Sequence, residues 1–251
     1  MRLYALILIA VIVSSCSTTV RHKDNYQSSI ARSNKQMLIL PPLVEVGMID
    51  IAGKKERMYD YELNLEDILS QETIDALRNE GFRIKSIRRK TLHEQGLIRE
   101  EARMRNRYNE SRELLYSELM WDEAKAYNIN ENVGRQFSSV IGAKNDTDLL
   151  IMIDFMKDFK TTGAKTKDAL IDTFLGTTYS SNNDKSIMIL TIIDSRTGDI
   201  LWANIGTHIP VLLNSAGNFL LTEKEIDQKI SKDLLKQILA PYKKEQKKLN
   251  N

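Results

Sequence analysis

Few side chains in this sequence are placed to do covalent chemistry. Cys16, in the stretch VIVSSCSTT, is the only cysteine among 251 residues, and a thiolate is a nucleophile that accepts an acyl or alkyl group. A lone cysteine excludes an intramolecular disulfide framework. His22, His93 and His208 stand far apart, without the paired spacing that metal ligation uses. Asp154 and Asp158 fall in a predicted strand, where two carboxylates on one face lie about 13 Å apart, too far to share a proton. Asp172, Asp184 and Asp194 belong to loops or strand ends, where carboxylates are common. The chain has no G-x-S-x-G, no G-x-G-x-x-G and no Walker loop. No catalytic residue, cofactor site or metal site is therefore assigned, and a non-enzymatic protein is expected.

The flanks of Cys16 say what its sulfur is for. Arg2 is followed by an apolar core from Leu3 to Val13, shorter than the roughly 20 residues a helical bilayer span requires. Its proportions are those of a signal-peptide hydrophobic region. Val13-Ser14-Ser15-Cys16 resembles the lipobox of bacterial lipoproteins. That resemblance implies a leader over residues 1–15, a diacylglycerol on the Cys16 sulfur, and acylation of the new amino group after cleavage. Small residues before the cut let a peptidase reach the backbone. Several acyl chains, at ~0.8 kcal/mol per buried methylene, make an anchor that does not readily leave the membrane. Ser17 replaces the aspartate that retains enteric lipoproteins in the inner membrane. By the same resemblance the destination is the outer membrane, with the domain facing the periplasm. A signal anchor with an incidental cysteine is the competing reading.

Composition adds exclusions. Lys and Arg number 36 against 34 Asp and Glu, a formal charge of +2, which argues against a nucleic-acid partner because that demands a concentrated positive face. Residues 16–35 are polar and aperiodic and read as a lipidated cysteine plus flexible tether, letting the folded part float about 25 Å from its lipid. Residues 36–242 read as one folded domain, and 243–251, with KKEQKK, as a basic disordered tail.

Within the domain, Met37–Leu40 fits a buried strand ended by Pro41-Pro42. NLEDILSQETIDALRNEG reads as a helix capped by Asn64 and closed near Gly81, with Leu65, Ile68, Leu69, Ala76 and Leu77 inward. FRIKSI is a strand with Phe82 and Ile84 inward. A charged helical stretch from Gly96 to Tyr127 places Met104, Tyr108, Leu115 and Leu119 on a narrow apolar face, the rest solvated. ENVGRQFSSVIGAKN makes a shorter helix with Val133, Phe137, Val140 and Ile141 inward. DLLIMIDFMKDF, SIMILTIID and DILWANIGTHI are strands, the last two joined by SRTG with Gly198 supplying positive φ. TEKEIDQKISKDLLKQILAPY opens on a Thr222–Glu225 capping box and buries Ile226, Ile230, Leu234 and Ile238, with Pro241 closing it. The expected fold is α/β (α+β): a single domain with a mixed β-sheet packed by helices, order β-α-β-α-α-β-β-β-α.

MLILPP after the cysteine, LRNEGFRI, and NDTDLLIMIDF leading to MILTIIDSRTGDILW together resemble the curli secretion lipoprotein family and the amino-terminal domain of the TolB type. The resemblance spans roughly residues 37–90 and 145–240. It implies a binding or assembly protein, in some members oligomeric, rather than an enzyme. The curli relative inserts long hairpins to form a pore, whereas AKTKDALIDTFLGTTYSSNND here lacks the needed alternation, interrupted by Asp168, Asp172 and Thr173. A pore is not expected; a partner contact through Leu170, Phe174 and Leu175 is.

The leading expectation is a lipid-anchored envelope protein with a non-catalytic periplasmic binding or assembly domain, held to the membrane by its lipid and joined by envelope protein partners. Homo-oligomerisation is compatible with this. The alternatives are a lipid-anchored enzyme acting on cell-wall material and a ring-forming component of a secretion or transport assembly.

Overall fold

A computed structural model describes residues 20–24, 26–32, 36–116, 129–167, 184–208 and 223–249. The elements in chain order are β1 (Arg21–His22), α1 (Tyr26–Arg32), β2 (Gln36–Ile39), β3 (Leu43–Ile49), β4 (Lys55–Arg57), α2 (Tyr59–Arg78), β5 (Arg83–Ser86), α3 (Arg89–Glu94), α4 (Ile98–Leu115), α5 (Arg135–Asn145), β6 (Leu149–Lys160), β7 (Lys185–Asp194), β8 (Ile200–His208) and α6 (Glu223–Leu249). Residues 162–167 add a helical run after β6.

One mixed eight-stranded sheet runs β1-β8-β7-β6-β2-β5, with β3 also on β6 and β4 on β3. The twelve-residue β6 organises it. Its first residues pair in parallel with β2 (Met37↔Leu149), its last with β3 (Leu43↔Asp154 to Ile49↔Lys160). Pro41-Pro42 sits between the two ladders. Proline lacks the N–H a ladder needs, so pairing stops there as expected, but the chain resumes as β3 along the same neighbour. β3 and β4 were not anticipated.

Helices cover both faces. Because side chains alternate along a strand, Leu149, Ile151, Ile153 and Phe155 enter a core with Leu65, Leu69 and Leu77 of α2 and Leu234 and Ile238 of α6. Leu150 and Met152 enter a second core with Met104 and Tyr108 of α4 and Ile141 of α5. The mixed sheet packed by helices is thus as the sequence predicts.

Several expectations are corrected. Residues 20–32 are not a free tether: β1 pairs antiparallel with β8 (Arg21↔Ala203, His22↔Trp202), and Val20, Tyr26 and Ile30 are buried. These apolar residues are too sparse to show a period, and only the aromatic surroundings supplied by β8 and α6 make their burial favourable. The C-terminal segment is not a disordered tail either, since α6 continues through Pro241 to Leu249. Helix α2 begins five residues before Asn64, at Tyr59, because Glu62 is drawn back to Arg57 (2.8 Å) and to the Val46 N–H (2.9 Å). On α5, Val140 points outward at 44% exposure. On α4, Glu101, Arg105 and Ser111 join Met104, Tyr108 and Leu115 in the buried stripe, so that helix is not solvated outside a narrow face. Leu119, residues 117–128 and Thr222 lie outside the described residues.

The β7–β8 turn follows its sequence closely. Asp194 Oδ1 accepts from the N–H groups of Arg196 (2.8 Å) and Thr197 (3.3 Å), and Gly198 takes φ +77°. One irregularity follows: Ile192 faces Trp202 while Ile193 faces Ile200, so Leu201 is an extra, bulged residue. The bulge lets Leu201 and Trp202 both enter the α2–α6 core.

Candidate functional site

Two polar clusters flank β6, one on each face, because Lys157 and Asp154 differ by an odd number of positions. Lys157 projects toward α2 and α6. Its ammonium donates to Asp227 Oδ1 of α6 (2.7 Å) and to the hydroxyl of Tyr61 of α2 (2.8 Å). The Tyr61 hydroxyl in turn donates to Asp227 Oδ2 (2.6 Å). The ammonium also lies 4.9 Å from the Tyr61 ring centre and 5.6 Å from that of Phe159, within reach of a cation–π attraction. Three elements are thereby tied at one point. Lys157 and Asp227 are both buried.

This cluster floors a groove of about 560 Å³ between α2 and α6, lined by Tyr61, Asn64, Asp67, Ile68, Gln71, Lys224, Asp227 and Gln228. The lining is three amides, two carboxylates, the Lys224 ammonium, one phenol and one aliphatic chain. Asp227 is neutralised by Lys157, so the pair offers neither a free amine nucleophile nor a free base. The groove is equipped to hydrogen-bond a polar ligand surface.

On the other face, Arg112 of α4 donates to Asp154 Oδ2 at 2.8 Å, and the Tyr108 hydroxyl meets Thr191 Oγ1 at 2.9 Å. Burial pushes the Asp154 carboxyl above its ordinary range, with Arg112 opposing. Burial pushes the Tyr108 phenol up as well, and the Asp154 charge adds to that. Tyr116 is raised by burial, the nearby Arg21 opposing. Arg105 is bonded to Glu101 one turn earlier and to the Pro41 carbonyl, which satisfies a carbonyl stranded by the proline pair. These groups join α4 to the sheet under the Pro41-Pro42 break, where Asp154 is 1% exposed and out of reach of a substrate.

Asp154 and Asp158 share a face as expected, each with its own cation: Asp158 pairs with Lys55 at 2.7 Å. Asp184 pairs with Lys165, and Asp194 caps its turn. His93 is exposed on α3, His208 ends β8, and His22 packs 5.0 Å from the Tyr26 ring. Among the described residues no three His, Cys, Asp or Glu side chains converge on a metal position, and no helix is long and apolar enough to cross a membrane. Cys16, Leu170, Phe174 and Leu175 lie outside the described residues. The sequence reading missed Tyr61, Lys157 and Asp227. Their signal was a lysine inside the apolar run LLIMIDFMKDF and an aspartate beside Ile226 on the buried stripe of the last helix.

No family model matches the chain, and no curated protein matches it. Solved structures similar to it include PelC from Paraburkholderia phytofirmans, crystallised as a dodecamer (TM-score 0.38, 10% identity, 82% of this chain and 86% of that one). Others are lipoprotein GNA1162 from Neisseria meningitidis (0.33, 14%, 74% and 88%) and protein XCC0632 from Xanthomonas campestris (0.34, 10%, 84% and 88%). Overlays this loose establish neither a shared fold nor a shared role.

Proposed function

We propose that the protein is a lipid-anchored component of the bacterial envelope, held by acylated Cys16 in the outer membrane with its domain in the periplasm, and that it binds protein partners without catalysing a reaction. The observation that carries this reading is the sole cysteine, set directly after an aliphatic residue and two serines at the end of a short apolar run. The packing of Val20 and β1 gives support of another kind: the fold begins almost immediately after that cysteine, as a domain held near a membrane would. Partner recognition is placed at the α2–α6 groove, whose amides and carboxylates suit a polar polypeptide surface.

Intact-mass measurement of the protein purified from membranes is the first test. The expected product starts at Cys16 and carries diacylglycerol on sulfur. A retained leader or an unmodified thiol overturns the anchor. The second test is crosslinking from an exposed photoreactive residue at Gln71. Reproducible capture of one envelope protein, lost in Asn64→Arg, supports the groove, whereas a capture pattern unchanged by Asn64→Arg removes it.

A further inference from the structure

We propose that the outer edge of β5 takes up an acidic polypeptide segment of another protein as an added strand, a docking surface separate from the α2–α6 groove. Strand β5 (Arg83–Ser86) closes one end of the sheet and pairs, among the described residues, only with β2. The pair is parallel, with Met37↔Ile84 and Ile39↔Ser86 in register. Just past the strand, the Ile87 N–H donates to the Ile39 carbonyl at 3.0 Å. Peptide groups point alternately to the two sides of a strand, so those of Arg83, Lys85 and Ile87 face β2. The N–H and C=O of Ile84 and Ser86 therefore face outward, and no described residue bonds to them. Backbone groups left open along an edge are a template for a further strand.

The side chains select what docks. Ile84 enters the core with α2, so Arg83 and Lys85 share the opposite face, about 7 Å apart. Both are exposed, and no carboxylate among the described residues pairs with either. The other two edges differ. On β4, Lys55 pairs with Asp158 at 2.7 Å and Arg57 with Glu62 at 2.8 Å. On β1, Arg21 is buried and donates to the Leu115 and Val20 carbonyls. Cations there are committed within the chain, whereas those of β5 are left over. The surface around β5 stays basic, with Arg78, Arg88 and Lys90 exposed.

Like charges directly opposite one another destabilise a strand pair, and lysine on an edge keeps identical edges apart. All three edge strands, β1, β4 and β5, carry Lys or Arg, so a second copy is a poor occupant. An extended segment with Asp or Glu at alternate positions fits instead. Its carboxylates recur at the spacing of Arg83 and Lys85 while its backbone pairs with Ile84 and Ser86.

The test uses the full chain in detergent and a blocked octapeptide alternating Glu and Val. Controls are the same peptide N-methylated throughout its backbone and an octapeptide alternating Lys and Val. Amide exchange is read by NMR, and affinity by fluorescence anisotropy of labelled peptide. In the free protein the Ile84 and Ser86 amides should exchange fast and that of Lys85 slowly. The acidic peptide should protect Ile84 and Ser86, and neither control should. Ser86→Pro removes one outward N–H without touching the β2 ladder, and should weaken binding about five-fold, the worth of one hydrogen bond. Arg83→Glu/Lys85→Glu should weaken it about ten-fold, the worth of two surface ion pairs, with the melting transition retained. Ile84 and Ser86 amides already protected without peptide overturn the proposal. So does equal binding of the N-methylated peptide, or undiminished binding by the two folded edge variants. A concentration-dependent dimer abolished by Ser86→Pro assigns the edge to a second copy and overturns it too. Asn64→Arg separates the two surfaces: if it abolishes peptide binding, the peptide sits in the groove and the β5 site is lost, whereas failed capture from Gln71 sinks only the groove.

Discussion

Replacing Lys157 with methionine tests whether the Tyr61–Lys157–Asp227 cluster is a buried clamp or a solvated surface pair. The side chains of Lys157 and Asp227 are 10% and 5% exposed and meet at 2.7 Å. Exposed pairs contribute about 0–1 kcal/mol, but removing one member of a buried pair leaves an uncompensated charge and costs about 3–5 kcal/mol. The Tyr61 hydroxyl still donates to Asp227, which places the expected loss for Lys157→Met toward the lower end, about 3 kcal/mol. Against a total stability of about 5–15 kcal/mol, that is a large fraction. The double variant Lys157→Met/Asp227→Leu removes both charges together, and such replacements are often neutral or stabilising. It should therefore be more stable than Lys157→Met alone, with a coupling energy of about 2–3 kcal/mol between the sites. Urea unfolding followed by far-ultraviolet circular dichroism measures all four corners of the cycle. A loss under about 1 kcal/mol for Lys157→Met, or additive losses in the double variant, would refute the description of this cluster as the buried floor of the groove.

Glu62 sets a pH dependence. Burial opposes its charge, but hydrogen bonds from Arg57 and the Val46 N–H outweigh that and hold its carboxyl below the ordinary range. A depressed carboxyl lends stability that is fully present above its unfolded-state pKa and lost as pH falls through its lowered folded value; Glu62→Gln should flatten that acid limb in unfolding curves taken across the acid range. Gly198→Ala should destabilise by about 1–3 kcal/mol, since the position needs φ +77° and a Cβ there would lie 2.8 Å from Arg135 N; an unchanged denaturation midpoint would contradict the turn geometry. Pro241→Ala restores a helical N–H inside α6 and should protect the amides after Gln237 in hydrogen exchange, with a gain of up to about 3 kcal/mol in local helix stability.

The core helices and strands were legible because their apolar residues recur with a clear period. Leu65, Leu69 and Leu77 of α2, and Ile230, Leu234 and Ile238 of α6, lie on the faces their spacing assigns. So does Gly198, where turn chemistry is local. The misses have a common origin in non-local pairing. β1 is two residues long and exists only because β8 offers an edge. β3 follows a proline pair that locally says loop, yet β6 is long enough to accept two strands end to end. α6 runs past a proline because Ile238, Leu239 and Tyr242 are already buried on either side of it.

The candidate site divides in the same way. The proposed lipidation motif at Cys16 is contiguous in the sequence, so proposing it needed no knowledge of the fold. The amino-acid order also determined the α/β class and most of the buried stripes, since these depend on periods of two and 3.6 residues within single elements. Tyr61, Lys157 and Asp227 lie 96 and 70 residues apart in sequence. Only tertiary packing brings their charges within hydrogen-bonding distance, and Coulomb attraction in a poorly solvated interior is meaningful only at such separations. The packing of Tyr242 against Tyr26 and Trp202 was likewise decided by the fold, which brings together aromatic rings remote from one another in sequence.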